Sequence, residues 1–267
     1  MSINKQKLVN QIKKKQSCLC VGLDSDMSKL PAQFLHDPNP QYAFNRYIVE
    51  QTANYTIAYK PNLAFYESRG AKGFEELKMT VDFIRSNYPD IFLIADAKRG
   101  DIGNTSKQYA KTFFEYFDFD AVTLSPYMGK DVVKPFLEYT DKWVILLALT
   151  SNASAGEVQY FENNQGEKFF QHILNTGQKW GSPDNTMFVV GATKAEYLKT
   201  IRQIAPDSFF LVPGIGAQGG DLEAVIKNGQ NKDGGLLINS SRGIIFSKNP
   251  HRSAKDLQEQ MAKLIKI

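Results

Sequence analysis

Ile91-Phe-Leu-Ile-Ala-Asp96-Ala-Lys98-Arg99-Gly100-Asp101-Ile102 decides how this chain is read. The stretch opens as an apolar run short enough for one buried strand, then turns abruptly into charged residues around a glycine. Strand side chains alternate between faces, so Asp96 and Lys98 point the same way at the carboxyl end, and Asp101 falls just beyond in the following loop. A cation is thereby flanked by two anions at a strand tip. Taken alone, this is also what a salt-bridge network that ends a strand and starts a helix looks like. The rest of the chain decides between the two.

Working outward, the same unit recurs. Apolar runs at 18–24, 55–62, 121–126, 143–151, 187–191, 209–213 and 235–239 read as further strands, most of them ending in polar groups. Helical spacing fills 3–16, 42–53, 67–87, 104–117, 129–139, 166–180, 194–204, 221–228 and 251–265. Residues 31–40 read as a loop. Residues 152–165 read as a polar loop longer than a usual βα connection, and hence as a candidate functional loop. Near-continuous apolar strands, each trailed by a helix, call for a parallel sheet, and eight such repeats call for a closed (β/α)8 TIM barrel. An open doubly wound sheet is the rival. The 267 residues contain no low-complexity linker, and α/β barrels of about 250 residues fold as one unit, so a single barrel domain over 1–267 is expected.

Composition narrows the function. With 42% hydrophobic and 22% charged residues the chain is ordinarily globular, and a net charge of +4 with scattered lysines suits small anions better than a nucleic-acid polymer. The one basic run, Lys13-Lys14-Lys15, reads as the solvated face of an amino-terminal helix. Cys18 and Cys20 are too close along the chain for an ordinary disulfide; alternation puts them on one face as small core residues. His36, His172 and His251 lack ligand-like spacing with them, so no His/Cys metal site is expected. There is no apolar signal core and no run near the roughly 20 residues of a membrane span, which points to the cytoplasm and away from a membrane.

A barrel brings the carboxyl ends of its strands to one face. Asp24, Lys60, Asn62, Asp96, Lys98, Thr150 and Ser151 occupy such ends and set acids, amines and hydroxyls around one mouth. After the seventh strand comes Pro213-Gly214-Ile215-Gly216-Ala217-Gln218-Gly219-Gly220, and after the eighth Asn239-Ser240-Ser241-Arg242-Gly243. Glycines let backbone N–H groups approach an anion, and strands seven and eight are where barrels usually hold phosphate. Arg242 suits a bidentate phosphate clamp, with Gln218 closing over it.

These segments together resemble the orotidine 5'-phosphate decarboxylase family. The resemblance is carried by Asp96-Ala-Lys98-Arg-Gly-Asp101-Ile102, by Lys60 closing the second strand, and by the glycine-rich turn with Gln218 and Arg242. Lys60-Pro-Asn62 and Thr150-Ser151-Asn152, with the long loop, are similar to a longer bacterial-type subgroup. The resemblance implies conversion of orotidine 5'-monophosphate to uridine 5'-monophosphate and carbon dioxide, the last step of pyrimidine synthesis, in a homodimer without metal or organic cofactor. It further implies that Lys98 protonates C6, Asp96 lies beside the departing carboxylate, and Lys60 holds Asp96 and the ribose. By the same resemblance Asp101, Ile102 and Thr105 come from the neighbouring subunit, and Asp24 binds ribose. Thr150 or Ser151 meets the pyrimidine edge, Gln218 and Arg242 take the phosphate, and Asn62, Pro213 and Ser241 line the substrate. Two rivals stand beside this: a metal-dependent sugar-phosphate decarboxylase or aldolase-like synthase on a related barrel, and a non-catalytic nucleotide-binding barrel.

Overall fold

In the computed structural model, which describes residues 3–215 and 221–267, each apolar run becomes a strand covered on both faces. The strands are β1 (Leu19–Gly22), β2 (Ala58–Lys60), β3 (Phe92–Arg99), β4 (Ala121–Leu124), β5 (Trp143–Leu149), β6 (Thr186–Val190), β7 (Phe209–Pro213) and β8 (Leu236–Ser240). All pair in parallel with their sequence neighbours, and β8 closes on β1 through Leu19↔Ile238, Cys20↔Asn239 and Val21↔Ser240. The open doubly wound sheet is thereby excluded.

Helix α1 (Lys5–Lys15) precedes the barrel, and α2 (Pro40–Thr52), α3 (Gly70–Asn87), α4 (Gly103–Lys111), α5 (Lys130–Leu137), α6 (Phe169–Trp180), α7 (Ala195–Ile204), α8 (Leu222–Gly229) and α9 (Pro250–Leu264) follow the strands in turn. A right-handed strand–helix–strand crossover needs that layer to cover a parallel sheet on its outer side. The floor is sealed where the Trp143 indole N–H donates to the Ile3 carbonyl at 2.9 Å and packs edge-on against Phe92. A buried indole needs such a partner.

The polar loop over 152–165 carries short local structure: a 3-10 turn, Ala153–Ala155, and one turn of helix, Gly156–Gln159, before Glu162 pairs with Lys168 in an antiparallel bridge. Two expectations are corrected. Cys18 and Cys20 do not share a face, because Cys18 lies before the strand begins. Its thiol meets Met261 on α9, outside the barrel, whereas that of Cys20 meets Asn239 across the β1–β8 seam. Both thiols are buried, and that burial pushes each up to about 12. Finally, Lys13 and Lys14 are exposed but Lys15 is half-buried: its ammonium donates to the Ala53 and Thr56 carbonyls at 2.8 Å each, tying α1 to the turn before β2. Burial, with Lys14 adding repulsion, lowers its pKa to about 8.

Candidate active site

The carboxyl ends of β1, β2, β3, β5, β7 and β8 surround two adjoining cavities of about 440 and 180 Å3 that share Lys60, Asp96 and Pro213 on their common wall. The larger is lined by Lys98, Thr123, Thr150, Ser151 and Gln159 over a floor of Leu147, Val189 and Leu211. The smaller is lined by Asp24, Asn62, Gly214, Asn239, Ser241 and Arg242. One compartment thus has an apolar floor suited to a planar ring, and the other a polar wall suited to hydroxyls and an anion.

Asp96 is the hub. Its Oδ2 accepts from Lys60 Nζ at 2.7 Å, and its Oδ1 from Lys98 Nζ at 2.6 Å and from the Thr123 hydroxyl at 3.0 Å. Its backbone is fixed too, since Asp96 N–H donates to the Pro61 carbonyl and its own carbonyl accepts from Leu63 N–H. Burial favours the neutral acid, but Lys60 and then Lys98 outweigh it and hold the carboxyl well below the usual carboxylate range. The balance on Lys60 has the same form. Burial alone would strip its proton, yet Asp96, with Asp24 behind it, keeps the ammonium above the ordinary lysine value. Both members of this pair are nearly inaccessible; the Lys98 side chain is 49% exposed because it faces the open cavity.

On the other wall, Ser241 donates to Asp24 Oδ2 at 2.7 Å, and Asp24 Oδ1 is buried with no partner among the described residues. A Cβ on Gly22 would stand 2.7 Å from that of Ser241, so glycine is what lets the β8 turn close onto β1. Thr150 is held by the Gln159 amide at both ends: Gln159 Nε2 donates to the Thr150 hydroxyl at 2.7 Å and Oε1 accepts from its N–H at 2.8 Å.

Of the residues expected at the mouth, Asp24, Lys60, Asn62, Asp96, Lys98, Thr150, Ser151, Pro213, Ser241 and Arg242 line these cavities. Gln218 lies outside the described residues. Asp101, Ile102 and Thr105 do not line them, and the expectation that two anions flank Lys98 within one chain is corrected. Among the described residues its carboxylate partner is Asp96, while the Asp101 carboxylate accepts from Ile102 N–H. Thr123, Gln159 and Asn239 were not foreseen as site residues. Thr123 had a signal, a hydroxyl amid the apolar residues of a barrel strand; Gln159 had none.

Residues 17–257 match the Orotidine 5'-phosphate decarboxylase / HUMPS family. The orotidine 5'-phosphate decarboxylase of Bacteroides fragilis is 55% identical over 271 residues, covering 99% of each chain, and that of Phocaeicola vulgatus is 53% identical over 270, covering 98% of this chain and 99% of its own. The solved OMP decarboxylase of Leishmania donovani superposes with a TM-score of 0.86 at 35% identity, covering 98% of each chain.

Proposed function

Because the chain belongs to the orotidine 5'-phosphate decarboxylase family, and so converts orotidine 5'-monophosphate to uridine 5'-monophosphate and carbon dioxide in pyrimidine biosynthesis, we propose that Lys98 stabilises and protonates the carbanion at C6. Loss of carbon dioxide leaves an electron pair on a vinylic carbon with no carbonyl placed to delocalise it well. A fixed ammonium answers both needs: it attracts the developing charge and then supplies the proton. Unit charges about 4 Å apart attract by roughly 4 kcal/mol at an effective dielectric near 20. The observation that carries the assignment is Lys98 Nζ, held 2.6 Å from Asp96 Oδ1 on the wall of the larger cavity.

The other residues follow their compartments. Asp96, charged and immobile, lies beside the leaving carboxylate and keeps Lys98 oriented. Lys60 holds Asp96 and reaches the ribose, as does Asp24, whose Oδ1 has no partner among the described residues. Thr150 or Ser151 reads the pyrimidine edge. Arg242, Gln218 and the turn after Pro213 take the phosphate, with Asn62 and Ser241 completing that wall; energy from phosphate binding then orders the site. The metal-dependent rival requires a second carboxylate on β2 to share a cation with Asp96. That place is taken by Lys60, whose ammonium bonds the Asp96 oxygen such a cation would need.

The chain works as one barrel domain and as a homodimer in which Asp101, Ile102 and Thr105 complete the partner's site. Ile102, Tyr127 and Met128, on the loops after β3 and β4, expose large apolar side chains at the same barrel end, which supports a covered face there. The two unpaired thiols suit a reducing cytoplasm. Lys98→Ala should abolish the loss of orotidine 5'-monophosphate absorbance while uridine 5'-monophosphate still binds. Turnover at the wild-type rate in that variant would remove Lys98 from the chemistry.

A further inference from the structure

The β3–β4 ladder is interrupted at the site. Ala95 pairs with Val122 and Arg99 with Leu124, so Asp96, Ala97 and Lys98 stand opposite Thr123 alone. A bulge leaves its extra residues without ladder partners, and a backbone N–H so orphaned must find another acceptor. For Lys98 that acceptor is a side chain: its N–H donates to Thr123 Oγ1 at 2.9 Å. The same hydroxyl spends its one proton on Asp96 Oδ1 at 3.0 Å, and Lys98 Nζ returns to that oxygen at 2.6 Å. Backbone and tip of Lys98 are therefore tied to two atoms that are tied to each other.

The conformation so enforced is an unfavourable one. Lys98 has φ +47°, in the left-handed region that a long L side chain enters only where its surroundings compel it. Thr123 is 1% exposed on a strand packed on both faces, and its branched side chain has little rotamer freedom, so its hydroxyl is a rigid reference point. Burial and strand propensity would be met equally by valine. What threonine adds is the pair of hydrogen bonds.

We propose that Thr123 is a positioning residue for the decarboxylation: its hydroxyl replaces the missing ladder acceptor and locks Lys98 in the left-handed conformation that sets its ammonium on the cavity wall. This rests on the assignment of Lys98 as the proton donor.

The test compares Thr123→Val and Thr123→Ser, with Lys98→Ala in parallel. Thr123→Val should lower kcat roughly 5- to 100-fold, the range set by releasing one strained backbone conformation, with KM and uridine 5'-monophosphate affinity within about threefold of wild type. Thr123→Ser, which keeps the hydroxyl, should restore most of kcat, and a crystal structure of Thr123→Val should show Lys98 at negative φ. Full kcat in Thr123→Val beside an inactive Lys98→Ala overturns the role of Thr123 and leaves that of Lys98 standing. An active Lys98→Ala enzyme overturns both. A Thr123→Ser enzyme as slow as Thr123→Val, or Lys98 still at positive φ in the valine variant, also overturns the proposal. If valine prevents folding, Thr123→Ala replaces it and is judged against Thr123→Ser by the same readouts.

Discussion

Replacing Lys60 by methionine keeps the length of the side chain and deletes only the ammonium that bonds Asp96 Oδ2 at 2.7 Å. Both residues are buried, and removing one partner of a buried pair costs about 3–5 kcal/mol because the other charge is stranded. Here Asp96 keeps Lys98 and Thr123 on its second oxygen, which places the loss near the lower end, about 3 kcal/mol. For a chain of this size that is a fall in Tm of about 6–12 °C, read by thermal unfolding at pH 7 and fixed protein concentration. The pH dependence tests the cause. Asp96 is depressed in the folded state, so its contribution is complete above the ordinary aspartate value near 4 and is lost as pH falls through the folded pKa. Lys60 is raised, so its contribution is present throughout the acid range and is lost only as pH rises through its folded value. The gap between wild type and Lys60→Met should therefore narrow on acidification below pH about 4, as the anion it depends on is neutralised. A Tm within about 2 °C of wild type at pH 7, or a gap that widens in acid, would refute the charge-pair reasoning.

Three further outcomes follow from the same geometry. Gln159→Ala removes one hydrogen bond from the Thr150 N–H and one from its hydroxyl, which keeps its bond to Asn152 Oδ1, and should raise KM for orotidine 5'-monophosphate about 5- to 30-fold with a smaller change in kcat. Steady-state kinetics checks this, and an unchanged KM would detach the loop from substrate binding. Mixing inactive Asp101 and Lys98 variants under conditions of proven subunit exchange should restore part of the activity through hybrid dimers; no rescue would place Asp101 in the site of its own chain. Because Lys60 occupies the oxygen of Asp96 that a cation would need, prolonged EDTA treatment should leave kcat/KM unchanged, and loss of turnover restored by Mg2+ would revive the metal-dependent reading.

The barrel was legible because its physics is local. A parallel strand covered on both faces must be apolar along its length, and a crossover helix must follow it, so periodicity alone exposed the repeat of strand and helix. The charged mouth was legible for the same reason: Asp24, Lys60, Asp96 and Lys98 each close an apolar run, and barrel closure brings such ends together. Where local pattern was extended across the chain it failed. Alternation puts Cys18 and Cys20 on one face only if both lie inside a strand, and Cys18 lies outside it. Lys15 reads like its solvated neighbours because the carbonyls it bonds lie 38 and 41 residues away along the chain.

Residue type and spacing along one strand or turn suffice for the parallel barrel, for the charges at its rim and for the family whose chemistry they serve. Two facts emerge in the folded chain alone: Gln159 grips Thr150, and β3 bulges against Thr123. Those facts depend on the register between neighbouring strands and on where an irregular loop returns. Register is a property of pairs of segments, and no single segment carries it.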